Sequence, residues 1–191
     1  MRKLLKQVEN EILNRNISRD EISDILSTVP VITNRRVIGG YASVSILDRE
    51  GHRITIPALK EAVKRFMSEE FFRPCTVFHS DIQVGRILPK WTHPDTGKIY
   101  RTEVDDIGWY TLVELRNDLE IADKVWEEIL KGNIKSFSIA GSSKEKKEVF
   151  ESGRLTWDID KLDIYECALC ETPVNPLSTF EVLWNPEKVL L

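Results

Sequence analysis

A chain of 191 residues is long enough for one substantial core, which removes about 70% of the unfolded surface from water. Its 41% hydrophobic and 30% charged residues are ordinary for a soluble globular protein, and a net charge of −4 gives no basic footprint for nucleic acid. No apolar run nears the ~20 residues that span a bilayer, no signal-peptide core follows Met1, and three cysteines make no disulfide framework. The expectation is a soluble cytoplasmic protein with neither nucleic acid nor membrane as a partner.

Residues 2–15 carry Leu4, Leu5, Val8, Ile12 and Leu13 at helical spacing. Ser18 and Glu21 fit a capping box for a second short helix over 19–27, and Pro30 closes it. The segment has mixed charge and the wrong turn for a DNA-reading helix pair. Residues 1–30 are therefore expected to be a helical packing or assembly appendage, and residues 31–191 one domain.

After Pro30 the pattern turns to strands. Val31–Thr33 and Val37–Leu47 are β-rich, with alternation from Tyr41 to Leu47; Asp48–His52 is a turn, and Arg53–Ile56 is a short return strand, which predicts a hairpin. Pro57 opens a helix with Ala58, Leu59, Ala62, Val63 and Phe66 on its apolar face. Strands are predicted over 74–89, 98–103 and 108–115. A helix over 119–131 would turn Ile121, Val125, Ile129 and Leu130 inward. Gly132 stops it. A short strand follows through Ser136, Ser138, Ala140 and Gly141, then a polar loop over 142–148, then strands within 149–159 and 161–170. The order predicts an α+β domain: a mostly antiparallel, closed or nearly closed β-barrel surrounded by helices. No glycine-rich phosphate loop follows any strand.

Few residues carry chemistry. Ser136 and Ser138 stand at i and i+2, so in a strand both point the same way and periodicity does not choose between them. A serine nucleophile needs a base and a group that holds the base. Of the three histidines, His52 and His93 fall in polar turns and read as solvated. His79 lies within the apolar run Thr76–Gly85, where it must be hydrogen-bonded or poised at a cleft. Glu166 is a carboxylate in the apolar run Leu162–Cys170; it is either paired or on a solvated strand face. Asp163 and Asp81 are alternatives. Cys167 and Cys170 form half a zinc site at most and point to opposite faces of a strand, so they read, with Cys75, as small buried hydrophobes. No cofactor and no metal are implied.

Four stretches together carry a resemblance. They are Gly40–Val44 with Asp48–Gly51, His79-Ser80-Asp81 with Val84-Gly85, Gly132–Gly141, and Tyr165–Leu169 with Thr172–Pro176. In this order, with 59 residues from His79 to Ser138 and 28 from Ser138 to Glu166, the chain resembles the phage prohead (head maturation) serine proteases. These are herpesvirus-assemblin-like, and the match includes the branch found in phage-like bacterial elements. The resemblance implies Ser138 as nucleophile, His79 as general base and Glu166 as the group that orients the imidazole. It favours Ser138 over Ser136 and leaves the oxyanion donors open, with Ala140 and Gly141 as candidates. It also implies an endopeptidase of capsid maturation that cleaves scaffold or coat-protein segments, and itself, within the immature capsid. The partners implied are those substrates and a second copy in a homodimer or higher local assembly. The alternative is a non-catalytic structural or scaffolding protein that keeps the protease fold.

Overall fold

The computed structural model describes residues 35–68 and 73–186, all within the unit Asn34–Leu191. The helices expected at 2–15 and 19–27, and the boundary after residue 30, lie outside the described residues. In chain order come β1 (Arg36–Val44), β2 (His52–Ile54), α1 (Ile56–Ser68), β3 (Pro74–Val77), β4 (Gln83–Leu88) and β5 (Lys90–Thr92). Then follow β6 (Ile99–Arg101), β7 (Glu103–Val104), β8 (Gly108–Leu115), α2 (Glu120–Leu130), β9 (Ser136–Glu151), β10 (Arg154–Cys170) and β11 (Phe180–Trp184).

The class is mixed α+β, as expected, but the barrel is not. The main sheet runs β11-β1-β8-β4-β3-β10-β2, with β7 added to β8 and β9 to β10, and it ends at β11 and β2. The long strand β10 is where it branches. Its C-terminal half pairs parallel with β3, its N-terminal half pairs parallel with β2, and β9 runs antiparallel along its other edge. Between β9 and the approach to β11 there is one isolated bridge, Ser136 to Thr179, flanked by the bond from Phe137 N–H to Ser178 C=O (2.9 Å). That is too little for a ladder, so the sheet does not close.

Two further expectations give way to contacts distant in sequence. β2 does not form a hairpin with β1; it pairs parallel with Trp157–Ile159 of β10. Asp48 Oδ1 accepts the amides of Glu50 and His52 (2.9 Å each), and Gly51 at φ 78° redirects the chain. The Arg53 guanidinium then holds Asp158 through Nε (2.8 Å) and Nη2 (3.1 Å). Likewise, residues 142–148 are not a loop but the middle of β9. Both faces of β9 are solvated there, so the apolar alternation that marks a half-buried strand is missing. Cross-strand charges support it: Lys161 meets Glu145 (3.1 Å) and Lys144 meets Asp163 (3.3 Å). Ser152 and Gly153, at φ 53° and 77°, form the tight connection to β10.

The core lies against the helices. α1 buries Ala58, Leu59, Ala62, Val63 and Phe66, the expected face. α2 buries Ala122, Val125, Trp126 and Ile129, while Ile121 and Leu130 stay exposed, so the apolar stripe is rotated from the expected one. Trp109, Val113, Phe137 and Leu169 are fully buried among them.

Glu114 on β8 anchors the other side of the sheet. It faces Arg86 of β4 in register, accepts from Arg86 Nη2 (2.8 Å) and from Arg35, and is largely buried. Burial alone would raise its pKa; the two guanidinium groups outweigh burial and hold it below the ordinary value. A depressed folded pKa stabilises the fold above the unfolded pKa, and that contribution is lost as pH falls through the folded value. Glu114→Gln is therefore expected to lower the melting temperature at pH 7. The gap to wild type should shrink below about pH 4. A gap independent of pH would contradict this account.

Candidate active site

Three strands side by side position the site. In register, Ser138 of β9 lies opposite Ala168 of β10, and Ala168 lies beside Thr76 of β3. Residues directly opposite share a face, and so do residues two apart in a strand. Ser138, Ala168, Thr76 and Glu166 therefore stand on one face.

His79 is not inside a strand. It follows β3, in a turn where Ser80 N–H bonds Val77 C=O (3.0 Å) and Phe78 N–H bonds Leu169 C=O (2.9 Å). Phe78 and His79 both have positive φ, 52° and 54°. For residues with a Cβ this costs about 1–2 kcal/mol each. Such conformations persist where the surroundings enforce them, and they gather at functional sites. Here the turn swings the imidazole back over the sheet face. The apolar alternation around His79 gives no sign of it.

The three expected side chains meet. His79 Nε2 is 2.8 Å from Ser138 Oγ, and His79 Nδ1 is 2.7 Å from Glu166 Oε1. As a carboxylate Glu166 only accepts, so Nδ1 carries the ring proton. Nε2 is then left to accept the Ser138 hydroxyl. The second carboxylate oxygen, Oε2, accepts the hydroxyl of Thr76 (2.8 Å), a residue the sequence reading did not single out. The Glu166 side chain is 18% exposed and that of His79 is 38%, so the carboxylate is sheltered while the imidazole faces solvent.

The remaining candidates fall away from this centre. Both His79 ring nitrogens are engaged without Ser136, which is 1% exposed. Asp163 pairs with Arg65 (3.2 Å) and Lys144. His93 is not simply solvated: it packs edge-on against Trp91 (5.4 Å) and Trp184 (5.5 Å). Cys75 and Cys167 are fully buried neighbours in register. Burial, then the Cys75 contact, pushes the Cys167 thiol well up, and burial with the Glu171 charge pushes Cys170 up to about 11. Thiols held neutral in this way are poor nucleophiles. Among the described residues no group of three or more His, Cys, Asp or Glu is arranged to hold a metal.

A cleft of about 360 Å³ opens beside Ser138 and His79. Ile46, Ile54, Ile139, Ile159 and Leu162 give it an apolar lining, and Ala140 to Ser143 of β9 form one wall. Asn175 Nδ2 donates to Val44 C=O (2.6 Å), and Ser178 Oγ to Ala42 C=O (3.0 Å). These two bonds tie the Pro173–Pro176 turn and its sequel to β1, and Ala42, Asn175 and Ser178 also line the cleft. His52 also lines the cleft, with Nδ1 3.6 Å from Glu50.

A Ser–His–Glu hydrogen-bonded run at a cleft has the geometry that serine hydrolysis requires, whatever the fold that carries it. The sequence places the chain more closely. Residues 32–188 match the family described as caudovirus prohead serine protease, and the chain belongs to this family of serine proteases. No curated protein matches it. Among solved structures, the varicella-zoster virus protease aligns at 15% identity and a TM-score of 0.40, over 77% of this chain and 63% of that one. The KSHV protease in complex with a hexapeptide phosphonate inhibitor aligns at 15% identity and a TM-score of 0.38, over 71% and 59%. The chain thus spans less than two thirds of the length of either structure. Among the described residues no helix is long and apolar enough to cross a membrane.

Proposed function

We propose that this chain is a serine endopeptidase of virus head assembly, with residues 31–191 as its catalytic domain. It cleaves scaffold or coat-protein segments, and itself, inside the immature capsid. The observation that supports this most is the run of two hydrogen bonds, Ser138 Oγ to His79 Nε2 (2.8 Å) and His79 Nδ1 to Glu166 Oε1 (2.7 Å), beside an open cleft. In the proposed reaction Ser138 Oγ attacks the scissile carbonyl while His79 Nε2 takes its proton. The carbonyl oxygen becomes an oxyanion, for which a backbone amide of the Ala140–Gly141 segment is the proposed donor. His79 then returns the proton to the leaving amine, and an acyl group remains on Ser138. Water, deprotonated by His79, attacks that ester; His79 then gives this proton to the departing Ser138 Oγ, and the acid is released. Throughout, Glu166 holds the Nδ1–H tautomer and stabilises the imidazolium without itself taking the proton.

The test is to incubate wild type and Ser138→Ala with scaffold and coat proteins and to read fragment masses. Fragments are expected with wild type only. Intact proteins in both incubations would favour a structural role for the chain.

A further inference from the structure

A carboxylate that orients an imidazole must itself be oriented. Glu166 sits on β10, and free rotation about its last bond would sweep Oε1 away from His79. In the structure that rotation is stopped at the other oxygen: Thr76 Oγ1 donates to Oε2 at 2.8 Å. Thr76 is 6% exposed, so its hydroxyl has little access to solvent as an alternative partner. Its side chain is β-branched and sits in the short strand β3, fixed alongside β10 by the Cys75–Cys167, Thr76–Ala168 and Val77–Leu169 pairs. The same short strand leads directly into the turn that carries His79. One element thus supplies both the imidazole and the clamp on its acid.

We propose that Thr76 is a positioning residue for the Ser138–His79–Glu166 set. Its hydroxyl fixes the rotation of the Glu166 carboxylate, and so aims Oε1 at His79 Nδ1. A hydrogen bond to a charged group in a sheltered site is stronger than a neutral one, and losing it leaves Oε2 without its donor. The proposal rests on the peptidase reading for its roles, but Thr76 acts on the reactivity of Ser138 whatever the natural substrate is.

The test uses a fluorophosphonate, which forms a P–O bond to Ser138 Oγ with loss of fluoride and reports nucleophilicity without a capsid substrate. Labelling rates are followed by intact mass. Thr76→Val, which keeps the shape and removes the hydroxyl, is expected to label roughly tenfold more slowly. Thr76→Ser should label within about threefold of wild type, because it restores the donor. In a Glu166→Ala background, Thr76→Val should change the rate by less than about twofold, since its partner is gone. On a cleaved protein substrate the same loss should fall on kcat with KM little changed. Thr76→Ala repeats the measurement if the valine variant does not fold.

Wild-type labelling rates in Thr76→Val, or an equal slowing in the Glu166→Ala background, would overturn the proposal. Wild type that labels at Ser138 but cleaves no capsid protein would remove the substrate reading alone. Wild type that does not label would remove both.

Discussion

Ser138→Ala is expected to abolish cleavage, with a loss of roughly a million-fold in turnover if Ser138 is the nucleophile. Alanine removes the one atom that meets His79 Nε2, and nothing else in the described hydrogen-bond set supplies a second hydroxyl there. Ser138 is only half-buried, at the cleft wall, so the variant should keep its fold and melt within a few degrees of wild type. Ser136→Ala is the control. That side chain is buried two residues away and should tolerate the change with turnover within about twofold, at a cost of about 1 kcal/mol in stability. His79→Ala should be nearly as inactive as Ser138→Ala, because nucleophile and base act as a unit. Full activity in Ser138→Ala, with loss in Ser136→Ala, would reverse the assignment. Fragment masses and melting curves on the same preparations decide between the outcomes.

The parts of this molecule that were legible in the sequence are those governed by neighbours in the chain. α1 follows from Pro57 and the spacing of Leu59, Ala62, Val63 and Phe66, and β8 from the run Gly108–Leu115. The parts that were not legible depend on pairing at a distance. The polar half of β9 has no apolar alternation and is a strand because β10 lies beside it. β2 is claimed by β10 through Arg53 and Asp158, which are 105 residues apart. The open sheet follows from the same cause, since β10 takes two parallel partners on one edge, a choice no local pattern encodes. At the site, Ser138, His79 and Glu166 were named from the order of motifs, not from periodicity. The left-handed turn at Phe78–His79 went unseen, because aromatic residues rarely adopt it. Thr76 went unseen because a threonine in a strand carries no chemical signal until its partner is placed.

Gly141→Ala is expected to be the most damaging single methyl group in the cleft wall. A Cβ built on Gly141 would stand 2.1 Å from the Asp163 carbonyl oxygen, 3.1 Å from its carbon and 3.3 Å from Ile164 Cα. All three are backbone atoms of β10, so no side chain can rotate away and one strand must shift. The place of the shift matters. Gly141 pairs with Ile164 and Ala140 with Glu166, and the register between these pairs is already irregular. Displacement there passes two residues along β10 to Glu166 and three along β9 to Ser138. Overpacking against a rigid wall costs typically about 1–3 kcal/mol. A misplacement near 1 Å between reacting groups can cost on the order of 10²-fold in rate. Gly141→Ala should therefore lose both stability and turnover, with the rate loss persisting per folded molecule after fluorophosphonate titration of reactive sites. Gly132→Ala gives the contrast. Gly132 has φ 78° with nothing within 4 Å of an added Cβ, so it should lose about 1–2 kcal/mol of stability and no turnover per folded molecule. Equal turnover per folded molecule in the two variants would mean that the close approach of β9 to β10 sets the fold without setting the alignment of Ser138 with His79.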